Sequence, residues 1–108
     1  MLFKPQFSKQ DVMEPLKRFL ENNNIPSDII TDVSFTGKFV IYVHFKKGSI
    51  EQYGNDMRSA FDKLPHSKFS YALMRTGGMN EIIECWAPFI NDIVEANRSH
   101  RAASHNTI

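Results

Sequence analysis

The sequence predicts an α+β fold, an antiparallel sheet with helices packed on it plus a long C-terminal helix; if Leu2–Gln6 is a strand the order is ferredoxin-like (strand-helix-strand-strand-helix-strand), and if not the topology is open. Three stretches carry that reading. Lys9–Asn23 repeats apolar residues at helical spacing, Phe39–Lys46 alternates them as a strand does, and Asn80–Asn97 returns to the helical period.

Taken in order, the ferredoxin-like arrangement needs a short first strand at Leu2–Gln6, which Pro5 restricts to an edge or a fragment. In Lys9–Asn23, Val12, Met13, Leu16, Phe19 and Leu20 form the apolar stripe. Two starts compete. Ser8 as N-cap makes Phe7 and Val12 a hydrophobic staple but requires a kink at Pro15. Asp11 as N-cap, with Glu14 three residues on, leaves Pro15 in the first turn and strains it less. Asn22-Asn23-Asn24 before Ile25-Pro26 stops the helix, because Asn tolerates a left-handed cap and Pro cannot continue it.

Ile29, Thr31, Val33 and Phe35 alternate with polar residues and predict a half-buried strand. Thr36-Gly37-Lys38 turns the chain into Phe39–Lys46. There Phe39, Ile41, Val43 and Phe45 form a core face, while Val40, Tyr42, His44 and Lys46 form the other. Lys47-Gly48 turns again, and Ser49–Tyr53 is expected as a short third strand. Asn55 then caps a helix with Met57, Ala60, Phe61 and Leu64 on one stripe, ended by Pro65. Lys68–Met74 follows as a strand. In Asn80–Asn97, Ile82, Ile83, Trp86, Phe89, Ile90, Ile93 and Val94 face inward, and Pro88 bends the helix from its polar side. A rival reading makes Met79–Trp86 a hairpin strand and starts the helix at Pro88; it ranks second because Ile82-Ile83 breaks the alternation. After Arg98 apolar periodicity ends, which suggests one domain over residues 1–98 and a polar, frayed tail over 99–108.

Composition narrows the function classes. A 108-residue chain with 42% hydrophobic content can bury a core without cross-links. A net charge of +1 supplies no global field for polyanions, which argues against a strong, non-specific DNA binder. Cys85 is the single cysteine, so an intramolecular disulfide or thiolate zinc cluster is excluded and a reducing, cytoplasmic setting is expected. The N-terminus lacks an apolar stretch of signal-peptide length, and no apolar run approaches the roughly 20 residues of a membrane span.

Candidate sites are sparse. His44, Lys46, Lys47 and Lys38 cluster around the central hairpin, with Lys63, Lys68 and Arg75 further on; ordinary solvation of a sheet face accounts for them better than a phosphate-binding surface does. His44 and His66 have no carboxylate or cysteine at ligand spacing, and His100 and His105 lie in the tail, so no metal is expected. Glu84 beside Cys85 raises the thiol pKa, the wrong direction for a nucleophile. Thr76-Gly77-Gly78 reads as a strand-to-helix turn lacking the Lys and Ser/Thr of a P-loop, with Arg75 alone keeping anion binding open. Asp56, Asp62, Glu81, Glu84, Asp92 and Glu95 read as caps or solvated residues, none paired with a histidine.

The stretch Lys38-Phe39-Val40-Ile41-Tyr42-Val43-His44-Phe45 resembles the central octapeptide of the RNA-recognition motif at its last four positions. That resemblance implies a base-stacking platform at Phe3 and Tyr42 and a phosphate contact at Lys38. It departs from the family where Phe39 replaces the expected glycine and Val40 the first aromatic.

With no catalytic or cofactor pattern, the sequence predicts a non-enzymatic regulatory or adaptor protein acting by protein–protein contact as a homodimer, without a cofactor or membrane partner. The interacting residues expected are Tyr42, His44, Lys46, Lys47, Arg75 and Trp86. The alternative is a single-stranded nucleic-acid binder using Phe3, Lys38 and Tyr42. The final helix discriminates between them: laid over the Val40/Tyr42/His44 face it blocks stacking, and an uncovered face raises nucleic acid to first.

Overall fold

The computed structural model describes residues 7–37, 39–76 and 80–106, with side chains as far as Arg101. Its elements are α1 (Lys9–Asn22), a 3₁₀ turn (Ser27–Ile29), β1 (Ile30–Thr36), β2 (Val40–Phe45), α2 (Ser49–Phe61), the single turn α3 (Ser67–Ser70), β3 (Tyr71–Arg75), β4 (Glu81–Cys85) and α4 (Ala87–Asn106). The strands form one antiparallel sheet in the order β1-β2-β4-β3. The class is α+β, as expected, but the element order is two β-hairpins joined by α2. In a split βαβ unit the first strand would lie beside β2; here β4 fills that place, and residues 2–6 lie outside the described chain.

Helix α1 starts at Ser8, not Asp11. Ser8 Oγ accepts the Asp11 N–H at 3.2 Å and the Asp11 carboxylate accepts the Ser8 N–H at 2.9 Å, a capping box with Asp where Glu is usual. Pro15 therefore sits inside the helix, where it removes one backbone bond. The box at one end and burial of Val12, Leu16, Phe19 and Leu20 along the helix offset that loss. Asn23 caps the other end, and Asn24 takes the left-handed conformation at φ 62°.

In β1 the buried residues are Ile30 and Val33 rather than the alternating set from Ile29 to Phe35. A bulge between Ile30 and Asp32 adds a residue and turns Thr31 out to solvent. In β2, Ile41, Val43 and Phe45 are buried as expected, but Phe39 lies in the turn before the strand and is 73% exposed. Ser49–Tyr53 is the first part of α2 instead of a strand. Gly48, at φ 88°, reverses the chain, and Ile50, Gly54, Met57 and Phe61 then bury at helical spacing, with Asn55 in mid-helix. Lys68-Phe69 belongs to α3, so β3 begins only at Tyr71.

The largest departure is at Asn80–Asn97, where the rival reading holds. Glu81–Cys85 is a central strand flanked on both sides, so Ile82 and Ile83 are both buried although they face opposite ways. Pro88 then falls in the first turn of α4, where a missing N–H costs nothing. The helix continues past Arg98 to Asn106, so residues 99–106 are helical rather than an irregular tail.

The core lies on one side of the sheet. Residues of α1, α2 and α4 pack with Val33, Ile41, Val43, Ile83 and Cys85 into one cluster. Phe61 is its hub: its ring stacks on Phe19 at 5.6 Å and meets Tyr71 and Phe89 edge-on at 5.3 and 5.1 Å. Such rings add about 0.5–1.5 kcal/mol per pair beyond their burial.

Candidate interaction surface

Alternation in four paired strands sends every second residue away from that core. The rows read Ser34-Tyr42-Glu84-Ala72 and Asp32-His44-Ile82-Met74, with Thr36-Val40 at the hairpin end. Extending the β2–β4 pairing one step past Cys85 puts Trp86 opposite Val40, and the Trp86 N–H donates to the Ser70 carbonyl at 3.1 Å. Val40, Tyr42, Ile82, Ala72 and Met74 belong to no part of the core cluster, since α4 packs with α1 on the other side. The core helices do not pack on this face; Ile82 at its centre is buried, and Val40, Tyr42, Ala72 and Met74 around it are half-buried.

The face is apolar and mildly acidic. Its cations are neutralised at the rim: Lys9 pairs with Asp32 at 3.2 Å and Lys46 with Asp28 at 3.4 Å. Backbone donation from Val33, followed by the Lys9 ammonium, holds Asp32 below the usual carboxylate range. His44 shares a 2.8 Å hydrogen bond between Nε2 and Ser34 Oγ. Glu84 stands between Tyr42 and Ala72.

The residues expected to interact are thus divided. Tyr42, His44 and Trp86 share the open side. Lys46 and Lys47 lie at the turn beyond β2, and Arg75 stands opposite Glu81, whose strand position alternates with Ile82 toward the helices. Phe3 and Lys38 lie outside the described residues. The basic cluster read around the hairpin does not form one surface. Gly77 and Gly78 are also outside the described residues, and the chain resumes in a strand, so Arg75 faces no helix N-terminus there.

Three pairings escape sequence reasoning because they join residues of different elements. Glu81, only 6% exposed, accepts the N–H groups of Gly48 at 2.5 Å and Ile50 at 2.6 Å. The start of α2 thereby holds an internal anion. Burial opposes the charge, but those two backbone donors, helped by Arg75 and Lys47, bring the Glu81 pKa below its usual value. Asp92, buried in α4, accepts both the His66 N–H and the His66 ring at 2.9 Å, which corrects the expectation that no carboxylate is paired with a histidine. Tyr71 donates its hydroxyl to Asp62 at 2.6 Å; burial, then that carboxylate, raises its pKa. Cys85 is fully buried, and burial followed by Glu84 pushes the thiol up to about 12.

A groove of about 600 Å³ between α1 and α4 holds Arg18, Arg98 and Arg101, but Arg18 pairs with Glu14 and Arg98 with Glu95. A smaller hollow of about 250 Å³ at the rim of the open face is lined by Asp32, His44 and Glu81. Among the described residues no three His, Cys, Asp or Glu side chains are placed to hold a metal ion. Nor, among those residues, is any helix long and apolar enough to cross a membrane. No family model matches the chain, and neither do curated proteins or solved structures.

Proposed function

We propose that the chain is a non-enzymatic adaptor or regulatory protein that acts as a homodimer, with its open sheet face receiving a protein segment of apolar and basic side chains. The observation that carries this reading is the composition of that face: the half-buried Val40, Tyr42, Ala72 and Met74 beside the Glu84 carboxylate, which makes no ion pair among the described residues. The single buried cysteine suits a reducing compartment such as the cytoplasm.

Single-stranded nucleic acid is the second reading, favoured by the half-buried Tyr42 and Trp86 rings on the side of the sheet away from the core helices. Openness was the condition that put it first, but stacking platforms work inside positively charged grooves. Here the Glu84 carboxylate stands on the platform, and Lys9 and Lys46 at its rim are each paired with an aspartate. Charge therefore favours a protein partner.

Peptides selected from a random display library on the immobilised chain test the reading. Enriched peptides should combine apolar residues with Lys or Arg, and should lose binding to Tyr42→Ala and Glu84→Lys. Enrichment that ignores both substitutions, or salt-dependent micromolar binding of 12-nucleotide oligomers lost in Tyr42→Ala, would overturn it.

A further inference from the structure

The two edges of the sheet are unlike. Edge strand β1 has the devices that discourage pairing: a bulge between Ile30 and Asp32 and the exposed Lys9–Asp32 ion pair. Edge strand β3, Tyr71-Ala72-Leu73-Met74-Arg75, has no bulge, proline or charge before its last residue. Its first four residues are half-buried.

Hydrogen-bond parity tells which of its backbone groups are free. Trp86 N–H donates to the Ser70 carbonyl and Thr76 N–H to the Asn80 carbonyl, so the pairs at 70/86 and 76/80 are the bonded ones. Antiparallel pairs alternate, which makes Ala72/Glu84 and Met74/Ile82 bonded as well. The N–H and C=O groups of Tyr71, Leu73 and Arg75 therefore point outward. Among the described residues no strand meets them.

Resting on the homodimer reading above, we propose that β3 pairs antiparallel with β3 of a second copy, about a two-fold axis at Leu73. That register bonds Leu73 to the partner's Leu73, and Tyr71 to the partner's Arg75, so every outward group in the strand is satisfied. It is also matched in charge. Tyr71 and Arg75 lie on the helix side of the sheet, and the Tyr71 hydroxyl is held by the exposed Asp62 carboxylate. Arg75 makes no ion pair among the described residues, and the seam brings the partner's Arg75 beside Tyr71 and toward that carboxylate. The result is one eight-stranded sheet whose open face is continuous across both copies.

In this register Ala72 meets the partner's Met74 as a non-hydrogen-bonded pair, with Cα atoms about 4.5 Å apart, inside disulfide range. A mixture of full-length Ala72→Cys and Met74→Cys chains under copper–phenanthroline should give a cross-linked dimer several-fold faster than either variant alone. Arg75→Pro, which removes an outward N–H and the seam guanidinium but no hydrogen bond within the sheet, should shift the light-scattering mass to a monomer while keeping the far-ultraviolet circular dichroism. Equal cross-linking of the single variants, or a dimeric Arg75→Pro, would overturn the seam while leaving the homodimer intact. A monomeric wild-type chain would remove both.

Discussion

The Glu81 carboxylate on β4 accepts the Ile50 N–H at the start of α2 at 2.6 Å, across 31 positions of sequence. With Gly48 as N-cap there is no side chain from the helix itself to do this. Glu81→Ala leaves the buried Ile50 N–H and the half-buried Gly48 N–H without an acceptor and should cost about 1–3 kcal/mol, read as a lower urea midpoint with an unchanged slope.

The same carboxylate sets an acid limit. Its folded pKa lies below the ordinary 4.5, so its contribution is fully present above about pH 4.5 and is lost as pH falls through the folded value. Glu81→Gln should flatten the decline in stability on that side of the curve and leave the neutral-to-alkaline side unchanged in slope.

The two faces of the sheet should respond oppositely to truncation. Phe61→Ala opens a cavity at the aromatic hub and should cost about 3–5 kcal/mol. Tyr42→Ala, on the open face, should cost under about 1 kcal/mol while abolishing peptide binding. Thermal melts and binding measured on the same two variants separate these effects.

Asp92 serves His66 twice, through the backbone and through the ring. Asp92→Ala should therefore destabilise by about 1–3 kcal/mol, and His66→Ala by less, because the backbone bond survives. Equal losses would mean that the ring contact carries the pairing.

How much of this was legible depended on range. The α1 stripe, the Phe39/Ile41/Val43/Phe45 face and the Met57/Ala60/Phe61/Leu64 stripe follow from local periodicity, and all but the exposed Phe39 are covered as read. The strand at Glu81–Cys85 was ranked second because Ile82-Ile83 mimics a helix; only its place between β2 and β3 explains why both residues are covered. Helix α2 was started too late because Gly48 and Gly54 hide its first turns, and its cap lies in β4. At the candidate surface, alternation placed Tyr42 and His44 together, whereas Trp86 was read on the inward stripe of a helix and lies instead just past the end of β4. Lys46 and Lys47 were placed there too, but they lie at the turn beyond β2, where Lys46 pairs with Asp28 from the 3₁₀ turn, a partner 18 positions away in sequence.

Light scattering of the full chain at tens of micromolar, in about 0.15 M salt, tests the central claim most directly. A homodimer has twice the 12.5 kDa mass of one chain, and that is the expected result. A mass of 12.5 kDa across that range would contradict the account.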